Sequence, residues 1–198
     1  VIARSIPLFA IVGALALTIA TARAEPTVTA APSYLFAIRV HVEVIRGAPI
    51  SDLAWARSQV ELASGLFAGA DVAFVFTEIV PHLGPIAIGS AADCAALAPQ
   101  MDAEQIDAFV VDHLRGWDIA GVTTGGARRC IALAADAPVE VLAHELGHYF
   151  GLDHRANTLM EPVAGGNIIL ETRQLATIRA SARRFALSRT PAAPMCAS

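Results

Sequence analysis

The chain contains no lysine: all 14 of its basic residues are arginine, set against 18 acids and a formal net charge of −4. A nucleic-acid binder ordinarily gathers an excess of positive charge on one face, so this balance argues against that class. Charge of either sign is scarce, at 16% of residues, while 55% are hydrophobic. A chain that stays unfolded has the opposite composition and is excluded. No segment repeats and no long linker interrupts the 198 residues, which is the length of one domain. Cysteine is rare as well, with Cys94, Cys130 and Cys196 making the full set.

Part of the apolar excess is local, since 17 of the first 24 residues are apolar. Arg4 precedes an uncharged, mostly apolar run at 6–22, which ends in Ala22-Arg23-Ala24 and is followed by Glu25-Pro26. Basic start, apolar stretch and small-x-small end are the order of a secretory signal peptide. The expectation is a leader at 1–24, removed near Ala24, and a secreted or periplasmic domain at 25–198. An uncleaved anchor, which wants about 20 apolar residues, is the alternative, and membrane contact is expected only in that case. Losing Arg4 and Arg23 but no acid leaves 12 Arg against 18 acids, a net charge of −6. In an oxidising compartment three cysteines suggest one disulfide and one free thiol. Three pairings are open. Cys94 with Cys130 is favoured, because Cys196 sits in a Pro/Ala-rich tail at 190–198 that is expected to be loose.

Residues 34–45 alternate, with Ile38, Val40, Val42 and Val44 on one face and Arg39, His41 and Glu43 on the other, the pattern of a half-buried strand. Ser51-Asp52 caps a helix that Gly69 can end. A second strand is expected over 72–79 and a short helix over 91–98. The run IDAFVV at 106–111 reads as a buried strand, 119–124 as a short edge strand among glycines, and CIALA at 130–134 as a further strand. Pro138 opens a helix, and Thr172 caps a last one reaching about residue 187. Strands interleaved with helices before a helical end predict an α/β (α+β layered) fold.

The chemistry is concentrated in HELGHYFGLDH at 144–154. His144 and His148, four apart on a helix, lie on one face about a turn from each other and can hold one zinc ion. A third ligand six residues on reaches the same ion only if the helix stops and the chain turns. Gly151 allows this, and His154 then approaches from the other side. Three neutral nitrogens leave the fourth tetrahedral position to water, the mark of a catalytic rather than a structural site. Zinc lowers the pKa of that water towards about 7. Glu145, beside the first ligand, can take its proton and pass it to a leaving amine. The scattered His41, His82 and His113 read as structural.

His144, Glu145, His148, Gly151 and His154 resemble the extended zinc motif of the metzincin metallopeptidases, and Asn157-Thr158-Leu159-Met160 looks like that family's Met-turn. The stretch 139–162, with HELGH, GLDH and LMEP, is most similar to the matrixin-like minimal proteases of bacteria. The resemblance implies a twisted mixed sheet, an active-site helix, a Met-turn with Met160 as the apolar base under the metal, and a C-terminal helix. It also implies that Ile119, Ala120, Gly121, Val122, Thr123 and Thr124 bind substrate backbone in antiparallel fashion. Pro162 and Val163 would line the pocket for the residue after the cut, with an apolar side chain expected there. Some features depart from the family. Arg155 follows the third histidine, Met160 comes only six residues after His154, and no Tyr follows Met160. No Asp-rich loop has calcium-binding spacing, so Ca2+ finds no support. The expected protein is a secreted, monomeric zinc endopeptidase acting on a peptide or protein. The alternative is a secreted zinc-containing peptide-binding module without useful turnover, against which the intact Glu145 argues.

Overall fold

A computed structural model describes residues 31–112, 114, 120–124, 129–162 and 166–189. The expected leader, the tail at 190–198, His113, Ile119 and Val163 lie outside these residues. The chain divides between Ala31 and Pro32, and the described elements all belong to the unit that starts at Pro32.

Strand β1 (Tyr34–Ile45) has the boundaries its alternation predicts. Arg46 and Gly47, both at positive φ (52° and 82°), turn the chain into a two-residue return strand β2 (Ala48–Pro49), which the sequence reading missed. Helix α1 (Leu53–Phe67) starts where Asp52 accepts a hydrogen bond from the Trp55 amide at 2.8 Å. It crosses over to β3 (Val72–Leu83), which pairs with β1 in parallel and runs four residues beyond its expected end. The remaining strands are β4 (Ile106–Val111), β5 (Gly121–Thr124) and β6 (Cys130–Ala134). The remaining helices are α2 (Ala91–Ala96), α3 (Val141–Tyr149) and α4 (Thr172–Arg189). Pro138 heads a turn rather than the helix itself, its carbonyl accepting the Val141 amide at 3.0 Å.

Strand β1 takes β3 on one edge and β4 on the other, and the sheet continues through β6 to β5. All of these run parallel except β5, which is antiparallel to β6 at the edge. The result is a twisted, mixed, open α+β sheet, in line with the metzincin-like layout. Parallel strands covered on both faces read as continuous apolar runs, and all six residues of β4 are buried. Their side chains divide between two layers. Ala108 and Val110 join the core under α1, α3 and α4. Phe109 and Val111 join a smaller one with Ile86, Ile88, Cys94 and Cys130.

That second layer corrects the reading of β1 as half-exposed. His41 is 1% and Glu43 5% exposed, because the segment 84–104 lies over this face, tied to β6 by a Cys94–Cys130 disulfide. Burial obliges the polar groups to pair. Asp107 accepts from Arg39 Nε at 2.7 Å, from His41 Nε2 at 2.8 Å and from the Asp102 amide at 2.8 Å. On the other side of the ring, His41 Nδ1 and His82 Nε2 lie 2.8 Å apart and share a hydrogen bond. The two histidines that look scattered in sequence are therefore neighbours in one buried chain of hydrogen bonds.

Candidate metal centre

Helix α3 brings His144 and His148 together, with their Nε2 atoms 3.1 Å apart. The helix ends at Tyr149, and Gly151 just beyond it has a φ of +90°, the left-handed backbone expected there. The chain doubles back, the Leu152 amide bonding to the Gly147 carbonyl at 2.9 Å, and His154 Nε2 arrives 3.1 Å from that of His148. His144 Nδ1 donates to the Leu159 carbonyl at 2.7 Å, and His148 Nδ1 to the Leu152 carbonyl at 2.8 Å. A carbonyl can only accept, so the ring proton of each sits on Nδ1 and the lone pair on Nε2 faces the centre. Burial first, and then the neighbouring histidines, hold the pKa of His144 and of His148 below the ordinary value, which favours the neutral, ligating form. Zn–N bonds of about 2.0–2.1 Å at tetrahedral angles put nitrogens about 3.3 Å apart. The donor set and its spacing therefore fit a zinc ion, and among the described residues this is the group that can hold a metal.

Met160 lies beneath, fully buried. Its place is fixed from two sides. A Cβ added to Gly147 would stand 2.3 Å from the Met160 sulfur, so the helix has a glycine where the methionine touches it. The turn itself is tied by Thr158, whose hydroxyl donates to the Arg155 carbonyl and accepts from the Met160 amide and from Gln174 of α4. The bond from His144 to Leu159 carries that fixation into the three-histidine group.

Glu145 is 4% exposed, and burial pushes its carboxyl up to about 7, against the opposing effect of the Thr123 hydroxyl. Thr123 Oγ1 lies 2.7 Å from Glu145 Oε2 and 2.8 Å from the Glu145 carbonyl. Gly121 makes room for the same side chain, since a Cβ there would meet Val141 Cγ1 at 2.6 Å and Glu145 Oε1 at 2.9 Å. These contacts set β5 alongside α3, with a cleft of about 760 Å³ between them that the three histidines and Glu145 line.

Of the expected substrate-binding positions, Ala120, Gly121, Val122, Thr123, Thr124 and Pro162 line the cleft. Sequence reasoning missed Arg129, which lines it too, and missed the bond from Thr123 to Glu145. Neither carries a local signal, because both depend on how β5 and β6 pack against α3.

A mixed open sheet, a helix supplying two of three converging histidines, and a buried methionine turn packed against that helix define a metzincin-like fold with a three-histidine site that can hold a metal ion. No protein-family model and no curated protein matches the sequence. Among solved structures the chain is similar to metalloproteinase-II from Bacteroides fragilis, with a TM-score of 0.58 and 13% identity over 79% of this chain and 55% of that one. It is similar to the same degree, TM-score 0.58, to a chain in a chaperone–substrate complex, with 12% identity over 79% of this chain and 35% of that one. A zinc-dependent peptidase from Methanocorpusculum labreanum superposes with a TM-score of 0.42 and 14% identity, over 73% of this chain and 99% of that one. The chain thus spans from about a third to about a half of the length of the first two. At these identities the likeness is one of fold.

Proposed function

We propose that the chain is a secreted zinc endopeptidase, most like the matrixin-like minimal proteases, with His144, His148 and His154 as metal ligands and Glu145 as the general base. The observation that carries this reading is the convergence of three Nε2 atoms beside a buried carboxyl group in an open cleft. Zinc, when bound, supplies Lewis acidity that activates water at neutral pH and polarises the scissile carbonyl. The chain's own residues do the rest. Glu145 accepts a proton from water at its carboxylate and delivers it to the departing amine. Thr123 holds the carboxylate still. The free edge of β5 offers backbone donors and acceptors to an extended peptide, and the first turn of α3, with Pro162, walls a pocket for the side chain after the cut. Secretion is supported by the leader-like residues 1–24 and by the Cys94–Cys130 disulfide, a bond that persists in oxidising compartments.

The test is zinc content and cleavage of fluorescein-labelled casein by the purified chain. The wild type should bind one zinc and cleave. Glu145→Ala should keep the zinc and lose turnover, whereas turnover retained in that variant overturns the mechanism.

A further inference from the structure

Arg129 stands just before β6 in the wall of the cleft. Its guanidinium carbon lies 5.5 Å from the ring centroid of Tyr149 and 5.0 Å from that of Phe185, so two aromatic faces hold the head on the protein side. Its Nη1 is shut off from solvent and has no hydrogen-bond acceptor among the described residues. No carboxylate among the described residues pairs with it, not even Asp153, which lines the same cleft. A guanidinium held between two rings, with a donor unmet by any described residue, is matched by a carboxylate brought from outside. Resting on the peptidase reading above, we propose that Arg129 is a specificity residue that selects substrates with an acidic side chain N-terminal to the cut.

The side of the cut follows from the sheet. Thr124 pairs with Cys130, which places Arg129 at the C-terminal end of β5. Gly121, at the other end, touches Val141 and Glu145. A peptide adding to the β5 edge in the more stable antiparallel sense lays its N-terminal half towards Arg129. Arg129 stacks on Tyr149, one helical turn beyond Glu145 on α3, a shift of about 5.4 Å. An extended peptide rises about 3.3 Å per residue, so the acidic side chain belongs about two residues before the scissile bond.

The test uses a randomised dodecapeptide pool and the zinc-loaded full chain, with product ends read by mass spectrometry. The wild type should enrich Asp and Glu about tenfold near the second residue before the cut. Arg129→Gln should abolish the enrichment while cleavage of neutral peptides continues. Arg129→Lys should retain part of it, and Arg129→Glu should turn it into a preference for Lys and Arg. Circular dichroism checks that each variant is folded, and the wild-type profile decides the matter even if Arg129→Glu is not. Cleavage with no acidic preference, with the preference after the cut, or with a profile unchanged in Arg129→Glu overturns the proposal and leaves the peptidase reading intact. No cleavage of the pool at all overturns both.

Discussion

The Thr123 hydroxyl bridges the backbone carbonyl and the carboxylate of Glu145, at 2.8 Å and 2.7 Å. Thr123 therefore pins the side chain of the proposed base to the helix that carries it. Removing the hydroxyl frees the carboxylate to rotate, and misplacement by about 1 Å can cost up to about 100-fold in rate. Thr123→Val should lower kcat on a labelled peptide by about tenfold or more with KM little changed, and Thr123→Ser should restore most of it. A loss confined to KM would assign Thr123 to substrate binding instead.

Gly147 and Met160 allow a second prediction. The Met160 sulfur fills the space where a side chain on Gly147 would begin, and Met160 is enclosed with Leu152 close by. Overpacking of this kind costs about 1–3 kcal/mol. Gly147→Ala should lower the melting temperature and displace the Met160 turn, weakening zinc retention through the bond from His144 to Leu159. A variant with wild-type melting and zinc content would show that the turn yields freely.

Zinc that binds only the folded chain stabilises it by about 2.7 kcal/mol at a free concentration 100 times its dissociation constant. A chelator should therefore lower the melting temperature of the wild type. In His148→Ala the difference between zinc-loaded and chelated protein should largely vanish. Calorimetry with and without chelator reads both.

The buried chain Arg39–Asp107–His41–His82 predicts an acid-side loss of stability. Burial disfavours the Asp107 carboxylate, but the bonds from His41, Arg39 and the Asp102 amide prevail and hold its pKa below the ordinary 3.8. Burial, and then the neighbouring His41, hold His82 below 6.5. Both groups have a lower pKa folded than unfolded, so the stability they contribute is complete above the unfolded values and drains away as pH falls. Urea unfolding should show a first decline below about pH 6.5, to which His144 and His148 also contribute and which is reduced in His82→Gln. A second decline should follow below about pH 3.8, reduced in Asp107→Asn. A flat profile over both windows would contradict this.

The disulfide joins residues 36 apart in sequence and clamps the segment 84–104 over the second face of the sheet. A closed loop of that length is worth about 3–4 kcal/mol in the chain-entropy estimate. Reduction, or replacement of both cysteines by Ser, should lower stability by up to that amount. It should also expose His41 and Phe109, raising hydrogen exchange along β1 and β4.

Much of the fold is local and is legible for that reason. The alternation of β1, the Asp52 cap of α1, the run of β4 and the stripe of α4 each follow from short-range periodicity or turn chemistry. The proposed zinc ligands are equally legible, because helix geometry alone fixes His144 against His148 and a left-handed Gly151 returns the chain to them. The reading of Arg39, His41 and Glu43 as a solvent face failed because period-two alternation marks which residues share a face, not what covers it. The cover is a segment more than 40 residues away from those residues, held by a disulfide whose pairing the sequence left open.

By itself, then, the sequence determined the chemistry: three imidazoles, one carboxylate and the glycine turn that lets them meet lie within eleven consecutive residues. Tertiary structure decided the surroundings that tune it. Thr123 on Glu145, Met160 under Gly147, and Arg129 held by Tyr149 and Phe185 are contacts across 13 to 56 positions. Such contacts exist only once β5, β6, α3 and α4 are packed. Hydrogen bonds and ring contacts act over a few ångströms, and only the closed fold brings residues so far apart in the chain within that range.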